Sequence, residues 1–162
     1  AVRNADPKAV IDAIRPAGLG NQKGPRIQQA LQTITEARGE LELDFLQRKT
    51  PQEAADWLTS MNGVGPKTAA IVLLFSLGMP AFPVDTHVHR VTKRVGLLPA
   101  NMTAEKAHEY LAELFDPELY YPVHLNLIRL GREICQARQP DCPTCPLVHI
   151  CSYYKKQLQT DE

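Results

Sequence analysis

Residues 61–67 read "MNGVGPK" and run directly into "TAAIVLLFSLG", so two glycines and a proline stand between one helical pattern and the next. A loop this short joins two helices into a helix-hairpin-helix, and glycines suit it because they accept positive φ and let another backbone come close. Pro66 fits the first position of the second helix, where its missing N–H costs nothing. The free N–H groups of the loop and first turn then form a small anion site that would fit a DNA phosphate. A plain αα-hairpin with Gly63 as a C-cap is the simpler alternative. Lys67 follows at the mouth of an apolar helix, where it can hold a phosphate, snorkel to the surface, or serve as an amine nucleophile. Nucleophilic attack at neutral pH asks that an ordinary lysine pKa of ~10.4 fall toward ~7–8, and apolar surroundings push in that direction.

Outward from this hairpin the pattern is helical throughout, with no convincing strand. Asp6-Pro7 caps a first helix with Val10, Ile11 and Ile14 on its apolar stripe up to Pro16. "AGLGNQKG" reads as a turn, after which Pro25 opens a second helix with Ile27, Ala30, Leu31 and Ile34 on one face, ended by Gly39. Thr50, Pro51 and Glu53 form a capping box for a third helix ending near Met61. The helix from Pro66 is apolar all round, the mark of burial on most sides, and Gly78 closes it. Asp85 or Thr86 caps a fifth helix through Arg94, Thr103 a sixth, and "YPVHLNLIRLGREIC" makes a seventh leading into the cysteines. The proline-rich "GMPAFP" marks a boundary between two helical lobes, 1–79 and 80–162.

The 162 residues carry a formal net charge of zero, with 44% apolar and 22% charged residues. That composition argues for a globular chain and against disorder. The uncharged run from Thr68 to Val84 is broken by Gly78, Pro80 and Pro83, so no transmembrane span is expected. No signal peptide is apparent, which points to a reducing compartment, the cytoplasm or, in a eukaryote, the nucleus. Neutrality hides an uneven distribution. Residues 57–104 hold Lys67, Arg90, Lys93 and Arg94 against Asp85, whereas residues 105–128 hold five acids and one lysine. Local clustering of this kind gives either a basic face for nucleic acid or ordinary solvated charge.

Two further constellations carry chemistry. In "VDTHVHR", Asp85 is placed to cap a helix, and a capping carboxylate held in one position can also accept a proton or offset a developing positive charge. One long helix and a return loop separate it from Lys67, so an antiparallel return brings both to the same mouth. Cys135, Cys142, Cys145 and Cys151 give C-x6-C-x2-C-x5-C, a compact four-thiolate set. Its single C-x2-C pair favours an iron–sulfur cluster over structural zinc, and both over disulfides.

Taken together, "MNGVGPKTAA", "VDTHVHRV" and the cysteine spacing resemble the endonuclease III branch of the helix-hairpin-helix DNA glycosylases, whose signatures are "LPGVGRKTA", "VDTH" and a [4Fe–4S] loop. The likeness runs from about Pro7 to Tyr154. It implies an all-α, two-lobed monomer with duplex DNA in the groove, the cysteines holding a [4Fe–4S] cluster. Such an enzyme removes an oxidised pyrimidine and cuts the strand by β-elimination. Lys67 would attack the sugar C1′ to form a Schiff base, with Asp85 assisting. Gly63, Val64 and Gly65 would present N–H groups to a phosphate, beside a monovalent cation. Leu19 matches a wedge that fills the gap left by a flipped nucleotide, although a helix-end apolar contact explains it equally. His87 matches a groove-lining position, and Arg90 joins the DNA-binding set. A non-catalytic DNA-binding module and a glycosylase for mismatched bases are the competing readings. The chain departs from the pattern in having Met61-Asn62 for Leu-Pro, Pro66 for Arg, and none of the family's preceding N-terminal helices.

Overall fold

A computed structural model describes residues 1–160 and divides the chain into two compact units, Ala1–Gly65 and Pro66–Glu162. The division falls at the end of the hairpin loop, earlier than the boundary expected near "GMPAFP". The reason lies in the apolar helix from Pro66, which packs on helices of the second unit and belongs to it. All regular structure among the described residues is helical.

In the first unit, α1 spans Pro7–Ile14, with the Asp6 side chain accepting from the Lys8 N–H. Helix α2 spans Gly20–Arg38 and begins five residues before Pro25, which sits inside it. The expected turn at "AGLGNQKG" is therefore helical from Gly20, and its glycines serve packing. A Cβ on Gly20 would lie 3.0 Å from the Ile11 carbonyl oxygen, and one on Gly24 would lie 2.7 Å from Ile11 Cγ1. Bare backbone on α2 is what lets α1 cross it so closely. The inward stripe shifts accordingly. Ile27 is exposed, while Gln28 is buried and its side-chain amide donates to the carbonyls of Val2 and Ala5. Gly39 ends α2 at φ +81°. Helix α3, Pro51–Thr59, carries the expected capping box between Thr50 and Glu53, and hydrogen bonds from the Thr50 N–H and hydroxyl hold the Glu53 carboxyl below the usual carboxylate range.

In the second unit, α4 covers only Pro66–Ile71 before the chain widens into a π-helical turn at Val72–Ser76, closed by the Leu77 N–H donating to the Val72 carbonyl at 3.2 Å. An apolar run with no polar face gives no period from which that extra residue could be read. An irregular buried segment follows, then α5 (Thr86–Val95), α6 (Ala104–Leu114), α7 (Tyr120–Glu133) and α8 (Ser152–Thr160). The core joins Phe82, Val84, Val88, Val91, Leu111 and Leu127. Gly131 lets α7 lie on α5, since a Cβ there would meet His87 Cβ at 2.8 Å.

Between α4 and α5 the buried chain is paired by histidines. His108 on α6 and His124 on α7 bring Nδ1 to 3.0 Å from the Phe82 carbonyl and 2.9 Å from the Pro83 carbonyl. A carbonyl only accepts, so each Nδ1 carries the proton. Burial lowers both pKa values below the ordinary 6.5. The carbonyl contacts oppose this, as do Glu105 for His108 and Asp85 for His124, while His124 adds to the lowering at His108 and Lys67 adds to it at His124. Below 6.5 the unfolded chain binds protons that the folded chain does not, so these groups contribute stability that is present above that pH and lost as pH falls toward their lowered values. The second unit is therefore expected to lose stability as pH falls below about 6.5. Chemical denaturation at stepped pH should show a slope that the double variant His108→Asn/His124→Asn flattens.

Candidate functional site

The two charges singled out in the sequence lie in the second unit. Lys67 is the second residue of α4 and its side chain is exposed. The apolar surroundings expected to destabilise its ammonium form are therefore absent. A helix that begins at a surface loop leaves its first turn in solvent, and the burial starts only at Ala69 and Ala70. Any removal of the ammonium proton has to come from a neighbouring acceptor.

Asp85 is that kind of group. It is 8% exposed, and its Oδ1 accepts from the Val88 N–H at 2.8 Å as the N-cap of α5. A buried carboxylate needs such a donor, and the cap supplies it while leaving the second oxygen for other partners. The fields of Asp85 and Lys67 both reach the His124 ring, the carboxylate raising its pKa and the ammonium lowering it. Both charges therefore act on the same buried imidazole. His124 is the participant missed from the sequence. It is 1% exposed and stands between the rings of Phe75, 5.7 Å away, and Phe82, 6.5 Å away. The available signal was a histidine on the inward stripe of α7, in line with Tyr120, Leu127 and Gly131.

His87 and Arg90, both on α5, meet each other. Arg90 Nη2 donates to His87 Nδ1 at 3.1 Å, so the imidazole proton sits on Nε2. Arg90, expected in the DNA-binding set, donates Nη2 to the Gly131 carbonyl at 2.8 Å and Nε to the Cys135 carbonyl at 3.1 Å. Its planar fork matches the orphan carbonyls at the end of α7, and it ties α5 to the start of the cysteine loop.

The four cysteines line one cavity with an apolar wall that includes Val91, Leu130 and Val148. Burial and the three neighbouring thiols push the Cys142 thiol up. Thiolates gathered here repel one another unless a cation stands among them. Arg94 closes one side, with Nη1 3.4 Å from Cys135 Sγ, further bonds to the Gln136 and Ala137 carbonyls, and its guanidinium over the Tyr153 ring. Among the described residues no three His, Cys, Asp or Glu side chains stand ready in coordination geometry, so the thiols surround the cavity without closing on a point. Four soft donors around an apolar-walled space still suit a thiolate-bound metal group.

The remaining residues lie in the first unit. Gly63 takes φ +85°, and a Cβ there would meet Arg26 Cδ at 2.4 Å. Of the three N–H groups expected to face a phosphate, that of Val64 is donated to the Met61 carbonyl at 3.1 Å. Those of Gly63 and Gly65 make no hydrogen bond among the described residues. Leu19 combines two unfavourable features. It is 64% exposed, and its φ of +57° is the only positive value among non-glycine described residues. A leucine in the left-handed region costs ~1–2 kcal/mol relative to the usual conformation, and strain of this kind concentrates at functional positions.

Comparison with known proteins identifies the whole. Residues 1–117 match the family of HhH-GPD superfamily base excision DNA repair proteins. Endonuclease III of Sulfolobus acidocaldarius is 37% identical, over 98% of this chain and 68% of that protein. The DNA glycosylase/AP lyase ROS1 of Arabidopsis thaliana is 30% identical over 95% of this chain, which spans only 12% of that much longer protein. A trapped endonuclease III–DNA covalent intermediate, in an estranged-adenine complex, superimposes with a TM-score of 0.80 at 32% identity, covering 97% of this chain and 70% of that one. On these matches the chain belongs to the endonuclease III branch of the HhH-GPD superfamily of base excision DNA repair proteins.

Proposed function

We propose that this protein is a bifunctional DNA glycosylase and AP lyase that acts as a monomer on duplex DNA, releasing oxidised pyrimidines such as thymine glycol and then cutting the abasic strand. The observation that carries this reading is an exposed lysine at the start of α4 and a buried, capped aspartate at the start of α5, whose fields reach the same buried histidine. The resemblance to a protein trapped covalently on DNA supports it further.

In this reading the Lys67 ammonium loses its proton to the free carboxylate oxygen of Asp85. Its lone pair then attacks the sugar C1′ as the bond from C1′ to the base breaks, and the departing base takes up the proton that the newly bonded nitrogen releases. Opening of the sugar ring gives an imine between Lys67 and C1′. A proton lost from C2′ expels the 3′ phosphate, and water hydrolyses the imine to restore the amine. Asp85 assists by holding the transferred proton and by offsetting positive charge on the sugar. At the hairpin, the Gly63 and Gly65 N–H groups receive a DNA phosphate. Leu19 enters the stack and occupies the space of the flipped nucleotide, repaying part of the few kcal/mol that flipping costs. Cys135, Cys142, Cys145 and Cys151 hold a [4Fe–4S] cluster, whose role is to fold and charge the loop that Arg90 and Arg94 tie to α5.

Borohydride reduction during reaction with duplexes carrying thymine glycol or an abasic site is expected to leave a covalent protein–DNA adduct. Lys67→Ala should abolish it, and Asp85→Asn should slow it by ~10²–10⁴-fold. An adduct that persists in Lys67→Ala would remove Lys67 from the chemistry. Leu19→Gly relieves the left-handed strain and should leave stability unchanged or raise it by up to ~1 kcal/mol. The same change should slow base release from a thymine glycol duplex by about tenfold or more, with a smaller effect on an existing abasic site, because the latter has less to unstack. The purified protein should be brown, and Cys145→Ser should lose both the colour and part of the thermal stability. A colourless, fully stable protein would exclude the cluster.

A further inference from the structure

Between Pro80 and Val84 the chain crosses into the second unit's core without helix or strand, and Phe82, Pro83, Val84 and Asp85 are all buried. Two prolines in this segment have no N–H to donate, and Pro83 forces Phe82 into an extended conformation. Successive carbonyls of an extended chain face opposite ways, so one neighbouring element cannot satisfy both. Donors arrive instead from two helices, His108 from α6 to Phe82 and His124 from α7 to Pro83. An apolar residue at position 124 would fill the space between Phe75 and Phe82 at lower cost, but it would leave the Pro83 carbonyl unpaired.

We propose that His108 and His124 are paired positioning residues, clamping consecutive carbonyls of Phe82 and Pro83 so that Asp85 reaches the start of α5 in one fixed place. This inference rests on the role given to Asp85 above. The aspartate is then held from two directions, its side chain by the Val88 N–H at 2.8 Å and its approach by the two imidazoles. The clamp adjoins the aspartate along the chain, since Pro83, whose carbonyl His124 holds, stands two residues before Asp85, and the fields of Asp85 and Lys67 both reach that imidazole. A neutral imidazole suits this place, since it donates one proton to the carbonyl without adding a second cation beside Lys67. Displacement of the carboxylate by 1 Å would cost on the order of 10²-fold in rate.

The test compares the whole chain with His124→Leu, which fills space without a donor, and His124→Asn, whose amide N–H lies near the Nδ1 position. Nitrogen NMR of the wild-type protein should find both imidazoles in the Nδ1–H tautomer, and an Nε2–H tautomer at His124 overturns the clamp. In His124→Leu, hydrogen-exchange protection of the Val88 N–H should fall by about tenfold or more relative to that of Thr92 in the same helix, with partial recovery in His124→Asn. Equal protection at Val88 overturns the proposal. Should His124→Leu fail to fold, His108→Leu is read at the same amide with the same outcomes. Trapping at an abasic site under saturating protein should slow by ~10–100-fold in His124→Leu, while DNA affinity stays within about twofold. A loss of affinity with unchanged trapping rate counts against positioning. If the wild-type chain forms no adduct at all, the lysine chemistry fails, and the tautomer and exchange results still decide the clamp.

Discussion

Backbone that enters a protein core outside a helix or sheet has to find partners for its carbonyls, and the second unit is organised around that demand. The run from Pro80 to Asp85 carries two prolines, is buried from Phe82 onward and belongs to no regular element. Its carbonyls draw His108 and His124 inward, although an imidazole is costly to bury. The histidines in turn fix α6 and α7 against the segment, and the Asp85 cap fixes α5. One requirement, that no buried polar group be left alone, thereby sets the places of three helices. Among the described residues no buried side-chain nitrogen or oxygen lacks a hydrogen-bond partner.

Close approach of helices is the second constraint, and it explains residues that otherwise read as turns. Gly20 and Gly24 let α1 cross α2 within contact of Ile11, and Gly131 does the same for α7 against His87. At the second crossing Arg90 reaches past His87 to the carbonyls that end α7. Helix packing and the cysteine loop are thus joined through one guanidinium. A residue that looks in sequence like part of a basic surface becomes a structural tie once its donors have carbonyls in reach.

Leu19 shows the opposite economy. A leucine that is both exposed and left-handed gains nothing from the fold that can be seen in its own unit. A glycine would take the same backbone conformation with less strain. The position therefore follows function better than stability, which is the pattern expected where an apolar side chain must project into a partner.

The sequence by itself determined the all-helical class, the caps at Asp6, Thr50 and Thr103, the choice of Asp85 or Thr86 as cap of α5, and the order of hairpin, "VDTH" helix and cysteines, because these depend on residues a few positions apart. Family membership followed from that order. Local signals were misleading where a distant partner decides. Gly20 and Gly24 looked like a turn until α1 packed on them, and Arg90 looked available until α7 ended beside it. The π-helical turn after Ile71 left no trace in an apolar run. His124 lies far from Asp85 in the chain, and no local pattern says that its ring will face the Pro83 carbonyl between two aromatic walls. Spacing along the chain sets which residue types recur on a helix face; only the packing of that face against a buried, unpaired backbone decides which of them holds the site together.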